Sequence, residues 1–329
     1  MKRILKSIKG RMRKLFPLER QYLNDYREHR KWNYSNEDLK TKDALEAQIL
    51  RTTHSLEKGM SVSQPKEKFG VQVALNLLGF IKQFTDCGYS IEDSTPVKNA
   101  LGVIGAYVAF HEQRGFVPEN VVAALNEFKD YIPDCLQEYG PQKCSFEELE
   151  NEIHGEFPTF IKSRHSLRQF ADRPVDAADV RRAVEMAIRC PSACNRQPWK
   201  AYFYNEQAVN EAVGGGIGGN KAFSQDIKNY IIVTCNLSSY RRQDERNQVY
   251  VDGGIFSMAL IEALHYCGIA SCILQNGEDK YRNLKFKSMC GNIPENEKII
   301  LFIAIGYYKD EVIYAASHRR NADEVLVVK

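Results

Sequence analysis

Apolar positions along the first half of the chain recur at helical spacing. Residues 71–84 are apolar on most sides and predict a buried helix. Pro96 to Arg114 and Glu119 to Ile132 predict two more, with Gly115 and Pro118 as punctuation between them. Asp43-Ala-Leu-Glu46 has the form of a helix N-terminus, an acidic cap with a glutamate three residues on. Gly59 stands where that helix should stop. No strand alternation shows before residue 150, and the turn-rich run Glu138 to Ser145 reads as the start of a linker. The second half alternates. Val175 to Arg189 predicts an amphipathic helix and Tyr250 to Tyr266 a long one. Trp199 to Tyr204, Asn229 to Cys235, Ile269 to Leu274 and Lys298 to Ile305 predict strands. Strand runs separated by helices argue for an α/β or α+β domain with a central sheet. The expected organisation is a helical domain over 1–150 and a sheet domain over 151–329.

Composition adds little to that picture. Of 329 residues, 43% are apolar and 26% charged, the balance of a soluble globular protein. A net charge of +3 is too small to argue for a nucleic-acid binder, and no nucleic-acid partner is expected. Nine cysteines with no CxxC pair fit packing thiols in a reducing compartment, and no Cys/His spacing suits a structural metal. No secretory signal or membrane-length apolar run shows, so a cytoplasmic protein is expected. Charge is uneven at one place. Residues 1–20 carry Lys2, Arg3, Lys6, Lys9, Arg11, Arg13, Lys14 and Arg20 against Glu19 alone, with Ile4, Leu5, Ile8, Met12, Leu15 and Phe16 at helical spacing. Such a helix can make peripheral contact with an anionic membrane, or pack on the domain with its charges solvated. Both readings stay open.

Three distant segments carry candidate chemistry. In Ser163-Arg-His-Ser-Leu-Arg-Gln-Phe170, Arg164, His165, Ser166 and Arg168 form a basic, hydroxyl-bearing cluster suited to a phosphate and a polar ring edge. In Cys190-Pro-Ser-Ala-Cys-Asn-Arg-Gln-Pro-Trp199, Pro191 stops a helix, Ser192 follows, and Asn195 and Gln197 offer amides that both donate and accept. The third comprises Gly268-Ile-Ala-Ser-Cys272 with Ala270 and Ser271, Gly306-Tyr-Tyr308, and His318-Arg-Arg320. Small residues there allow backbone to approach a flat ring, and Arg319 or Arg320 would complete a phosphate site. Taken singly, each also reads as an ordinary polar turn or a solvated helix end.

Together, Arg-His-Ser-Leu-Arg-Gln-Phe and, about twenty-five residues later, Pro-Ser-x-x-Asn-x-Gln-Pro-Trp resemble the FMN-dependent nitroreductase superfamily, from about Phe157 to Lys329. The resemblance implies an α+β fold: a three-layer domain with a central mixed or antiparallel sheet, preceded here by an all-helical N-terminal domain. It implies FMN, with NADH or NADPH as reductant, a small organic acceptor, and a homodimer with FMN in the interface. It implies flavin contacts from Arg164, His165, Ser166, Arg168, Pro191, Ser192, Asn195, Gln197, Ala270, Ser271 and Arg319, with Arg320 as the competing choice for the phosphate. No protein nucleophile is implied, because the flavin carries the hydride chemistry.

Two features depart from the family. The connection between the Cys235 and Ile269 strands leaves little room for the helices that often roof the pocket. The helical half is additional, and is expected to supply that roof while leaving flavin binding to the other half. A binding role without turnover, as an assembly or regulatory partner in surface-polysaccharide synthesis, is the alternative. A flavin-dependent dehydrogenase or dehalogenase would share the site. Three weaker signals take the plain reading: Gly214-Gly-Gly-Ile-Gly-Gly219 as a loop rather than a dinucleotide fingerprint, His54-Ser-Leu-Glu-Lys-Gly59 as a helix end rather than a site, and Cys190 and Cys194 as packing thiols.

Overall fold

The computed structural model describes residues 40–329 apart from 218, 241–242, 277–286, 289 and 291–292, together with 19, 21–23 and 25–27. The basic segment 1–20 therefore lies, but for Glu19, outside the described residues.

Helix α1 (Lys42–Met60) starts at Thr41, whose Oγ1 accepts from the Ala44 N–H at 3.3 Å. The cap is thus two residues earlier than the acidic cap expected at Asp43, and Glu46 has another use: its buried carboxylate accepts from Ser94 and Arg320. Gly59 is inside the helix. A Cβ there would lie 2.2 Å from the Phe69 ring, so its smallness serves close packing and not termination. Helices α2 (Val71–Asp86), α3 (Thr95–Glu112) and α4 (Glu119–Leu125) follow, α4 tightening into a 3-10 turn over Asn126–Tyr131. Leu45, Ile49, Leu77, Ile81, Phe84, Leu101, Ile104, Tyr107 and Val121 form their common core.

A strand appears where none was expected. β1 (Pro141–Ser145) pairs antiparallel with β6 (Glu311–Ala315), so the Glu138 to Ser145 run is not a linker. Ser145 then caps α5 (Phe146–Ile153) through a reciprocal box with Glu148, and α6 (Phe157–Ser163) follows.

The second half contains α7 (Ala177–Ala187), β2 (Trp199–Tyr204), α8 (Gln207–Gly216), β3 (Asn229–Asn236), α9 (Gln248–Tyr266), β4 (Ile269–Gln275) and β5 (Glu297–Tyr307). A four-residue helix, α10 (Ala322–Val325), is the last element of the described chain. The sheet order is β2-β3-β5-β4, antiparallel at every pairing. Period-two alternation sorts its side chains. Ile231, Val233, Cys235, Ile303 and Ile305 face Val180, Ala183, Phe256, Leu260 and Leu264 of α7 and α9. Tyr230, Ile232, Phe302 and Ala304 face Val213 of α8, Leu149 and Ile153 of α5, and Leu167 and Phe170. Helices therefore cover both faces of an α+β sheet, in three layers. Gly214 to Gly216 belong to α8, so that glycine run ends a helix instead of following a strand. Among the described residues, no helix is long and apolar enough to cross a membrane.

Candidate functional site

The segment after α6 runs along the free edge of β4. Ser166 bridges Ser271 in parallel register, and the Leu167 N–H donates to the Ser271 carbonyl at 3.0 Å. Phe170 then covers Gly306, where a Cβ would stand 2.5 Å from its own Cβ. The flat ring that Gly306 admits is thus the phenylalanine's. These contacts join the first and third sequence segments, placing Arg164, His165, Ser166 and Arg168 beside Ala270, Ser271 and Cys272.

Arg168 is 5% exposed and has no carboxylate partner among the described residues. Its Nη1 donates to the Ser166 carbonyl at 3.4 Å, and its Nη2 meets His54 Nε2 at 3.3 Å. A guanidinium cannot accept, so His54 Nε2 is the acceptor and the imidazole proton sits on Nδ1, facing Glu57 Oε2 at 3.3 Å. Glu57 also accepts from the Ser317 N–H at 3.0 Å and from Ser317 Oγ at 3.3 Å. The Ser317 carbonyl in turn takes a hydrogen bond from Arg319. The end of α1 thereby links Arg168 to Arg319. Sequence reading took His54, Glu57 and Lys58 for an ordinary helix end, because their partners lie more than a hundred residues away.

The surrounding electrostatics is cationic. Burial lowers the Lys58 pKa, and Arg168 lowers it further. Burial likewise lowers Arg164, with Arg319 adding to it, while Tyr308 and Glu262 act the other way. Among the described residues, neither the Arg164 nor the Lys58 side chain has a hydrogen bond or ion pair. His165 stacks on Tyr314 at 3.7 Å between ring centroids, and burial followed by Arg164 and Arg319 takes its pKa down to about 4. Behind Arg164, buried His265 bonds Ser163 Oγ at 2.8 Å and the Tyr308 hydroxyl at 2.7 Å, with its pKa lowered to about 3 chiefly by burial. Arg320 is not part of the cluster. It is paired with Glu46 at 2.7 Å and Glu324 at 3.2 Å, which leaves Arg319 as the late cation.

The remaining segment lies elsewhere. Pro191, Ser192, Asn195 and Gln197 form the turn between α7 and β2. Cys194, Asn195 and Gln197 have φ of +52°, +55° and +48°, a conformation that costs non-glycine residues strain and that recurs at functional sites. The turn is pinned from both sides. Ser192 Oγ accepts from the Gln197 N–H at 2.9 Å, and Asp252, fully buried at the start of α9, accepts from the Ala193 N–H at 3.1 Å. Gln197 Nε2 donates to Asn195 Oδ1 at 3.2 Å. Cys194 is exposed and so is not the packing thiol expected. Trp199 pairs with Cys235, which pairs with Lys298 of β5, whereas Ala270 pairs with Gly306. Eight residues of β5 separate those levels, about 26 Å at the rise of a strand. Within one chain the amide turn and the arginine cluster occupy opposite corners of the sheet.

The nitroreductase family model matches residues 161–307. Those residues form a nitroreductase-family domain. A Streptococcus pyogenes serotype M6 protein provisionally named an NAD(P)H nitroreductase is 45% identical over 53 residues, 16% of this chain and 26% of that protein's length. An Archaeoglobus fulgidus protein provisionally named an NADH dehydrogenase/NAD(P)H nitroreductase is 27% identical over 171 residues, 50% of this chain and 93% of that protein. Among solved structures, a nitroreductase family protein of Streptococcus pneumoniae TIGR4 aligns with TM-score 0.44 and 22% identity over 56% of this chain and all of that one. A Desulfovibrio desulfuricans protein described as a nitroreductase in complex with FMN aligns with TM-score 0.45 and 18% identity, over 54% and 98%. His54, Glu57, Lys58, Ser317 and Arg319 all lie outside the nitroreductase domain match, yet His54 bonds its Arg168, Lys58 is close to it, and Glu57 and Ser317 continue the chain of hydrogen bonds to Arg319.

Proposed function

We propose that this protein is an FMN-dependent oxidoreductase, and that its cofactor site is built on Arg164, His165, Ser166, Arg168, Ala270, Ser271 and Arg319. One observation carries this reading: a buried Arg168 without a carboxylate partner among the described residues, next to Lys58, with Arg164 and Arg319 facing each other close by. Uncompensated buried cations are costly, and an anionic ligand would offset that cost. A phosphomonoester, at about two negative charges near neutral pH, suits the cluster. Arg164 and Arg319, which disfavour each other's charge, would hold the phosphate, with His165 and Ser166 beside it. Arg168 would lie against the electron-accepting ring and raise its reduction potential. Bound FMN supplies the hydride chemistry between NADH or NADPH and a small organic acceptor.

Pro191, Ser192, Asn195 and Gln197 complete the site from a second chain. Their distance from Arg168 within one chain supports that arrangement. So does α9, whose Val251, Ile255, Met258 and Tyr266 form an apolar stripe at helical spacing, each 38–50% exposed. The helices ahead of β1 are proposed to lie over the nitroreductase domain, which residues 141–153 join through β1 and Leu149.

The test is the visible spectrum of the purified protein, repeated after anaerobic addition of NADH or NADPH. The expected result is a flavin spectrum that bleaches with one of the nucleotides. A colourless protein that cannot be reloaded with FMN would overturn the reading.

A further inference from the structure

We propose that the last two turns of α1 are part of the cofactor site, with His54 and Glu57 positioning Arg168 and the Ser317–Arg319 segment, and Lys58 adding a cation toward the ligand. This rests on the FMN reading above. It changes the role of the helical half from a roof over a finished site to a wall of the site itself.

The hydrogen bonds give the reason. His54 Nε2 accepts from Arg168 while His54 Nδ1 faces Glu57, and Glu57 receives both donors of Ser317. Two cations, Arg168 near the start of the nitroreductase domain and Arg319 beyond its end, are therefore referenced to one helix turn. The chemistry of the brace matters as much as its reach. A carboxylate touching Arg168 would fix it and also neutralise it. A neutral imidazole fixes the guanidinium by an accepted hydrogen bond and leaves its charge for a ligand. Glu57, 6% exposed, is held one residue back, where Ser317 occupies it. Arg168 uses two of its donors on the protein, at 3.3 and 3.4 Å, and a guanidinium has five. Lys58 lies on the same turn, half-buried, with Arg168 and Cys272 as its electrostatic neighbours. Gly59 lets that turn pack closely against Phe69.

The experiment is FMN titration of the full-length chain, followed by flavin fluorescence, with the reduction potential measured on the same samples. A hydrogen bond to a charged group corresponds to about a ten- to hundredfold change in affinity. Arg168→Ala and His54→Leu should each weaken FMN binding by about that factor. The double variant should be no weaker than the worse single one, because His54 acts through Arg168. His54→Gln, which keeps an acceptor, should recover most of the affinity and the potential. Lys58→Ala should weaken binding about tenfold and add to Arg168→Ala, whereas Lys82→Ala, in an exposed pair with Glu127, should change nothing. Wild-type binding with unchanged affinity in both His54→Leu and Lys58→Ala overturns the inference, and so does strict additivity of His54→Leu with Arg168→Ala. Should His54→Leu fail to fold, Glu57→Gln and Lys58→Ala decide. Wild-type protein that takes no FMN defeats the functional reading instead, a separate outcome.

Discussion

Single residues show where the chemistry was legible and where it was not. Arg164, His165, Ser166 and Arg168 stand close together in sequence, and their types announce an anion site. Nothing in sequence pairs Glu57 with Ser317, 260 residues away, or marks Asp252 as the anchor of the Pro-Ser turn. Gly306 was noticed for the right property and the wrong partner, since Phe170 fills the space its missing Cβ leaves. Gly306→Ala should therefore displace Phe170, lower stability by about 1–3 kcal/mol by overpacking, and weaken FMN binding through the neighbouring Arg168. Chemical denaturation beside FMN titration checks both, and unchanged values in both would refute the account. His265 gives a prediction in pH. Its value falls from 6.5 in the unfolded chain to about 3 in the folded one. Between those values the unfolded state binds the extra proton, so stability is full above 6.5 and declines as pH falls toward 3. The contribution is up to about 1.4 kcal/mol per pH unit. Unfolding free energy from pH 7 to 4 should show this slope, and His265→Phe should flatten it.

At the level of elements, strong local patterns were readable. β2, β3, β5 and α9 follow apolar runs long enough to fix their type, and their ends fall within a few residues of expectation. β1 was missed because Pro-Gln-Lys-Cys-Ser has no apolar alternation; it is a strand only because β6, 170 residues on, pairs with it. The Ser145/Glu148 capping box was a local signal for α5 that went unread. One polar group ties three strands together. Glu297, at the start of β5 and 1% exposed, accepts from Lys200 Nζ at 2.5 Å and Tyr202 OH at 2.8 Å on β2, and from Thr234 Oγ1 at 2.6 Å on β3. Burial alone would raise its pKa, but these donors prevail and lower it below 4.5. Its stabilisation is thus present above that value and lost as pH falls below it. Glu297→Gln keeps the shape, loses the charge, and should cost about 2 kcal/mol at neutral pH. Equal urea midpoints for the two proteins would remove Glu297 as a fastener of this sheet end.

At the scale of the molecule, the two halves of the family signature do not meet within one chain. The sheet puts Trp199 and its turn at the Lys298 level of β5 and Ala270 at the Gly306 level, on opposite edge strands. α9 gives an independent measure. Asp252 near its start holds the amide turn, and His265 near its end backs Arg164, thirteen residues or about 20 Å along the axis. A two-fold axis through the exposed stripe of α9 would bring one chain's turn to the other's arginines, the self-complementary contact of a symmetric dimer. Sequence alone held both motifs but could not say that they belong to different corners. The arrangement predicts complementation between two defective chains. Arg168→Ala and Asn195→Ala should each impair FMN binding or NAD(P)H oxidation alone. Co-refolded in equal amounts, half of the dimers would be mixed, and each mixed dimer would hold one site with both residues intact. Roughly one quarter of wild-type sites should then return. If the site were formed within a single chain, every site would still lack one of the two residues, and mixing would restore nothing.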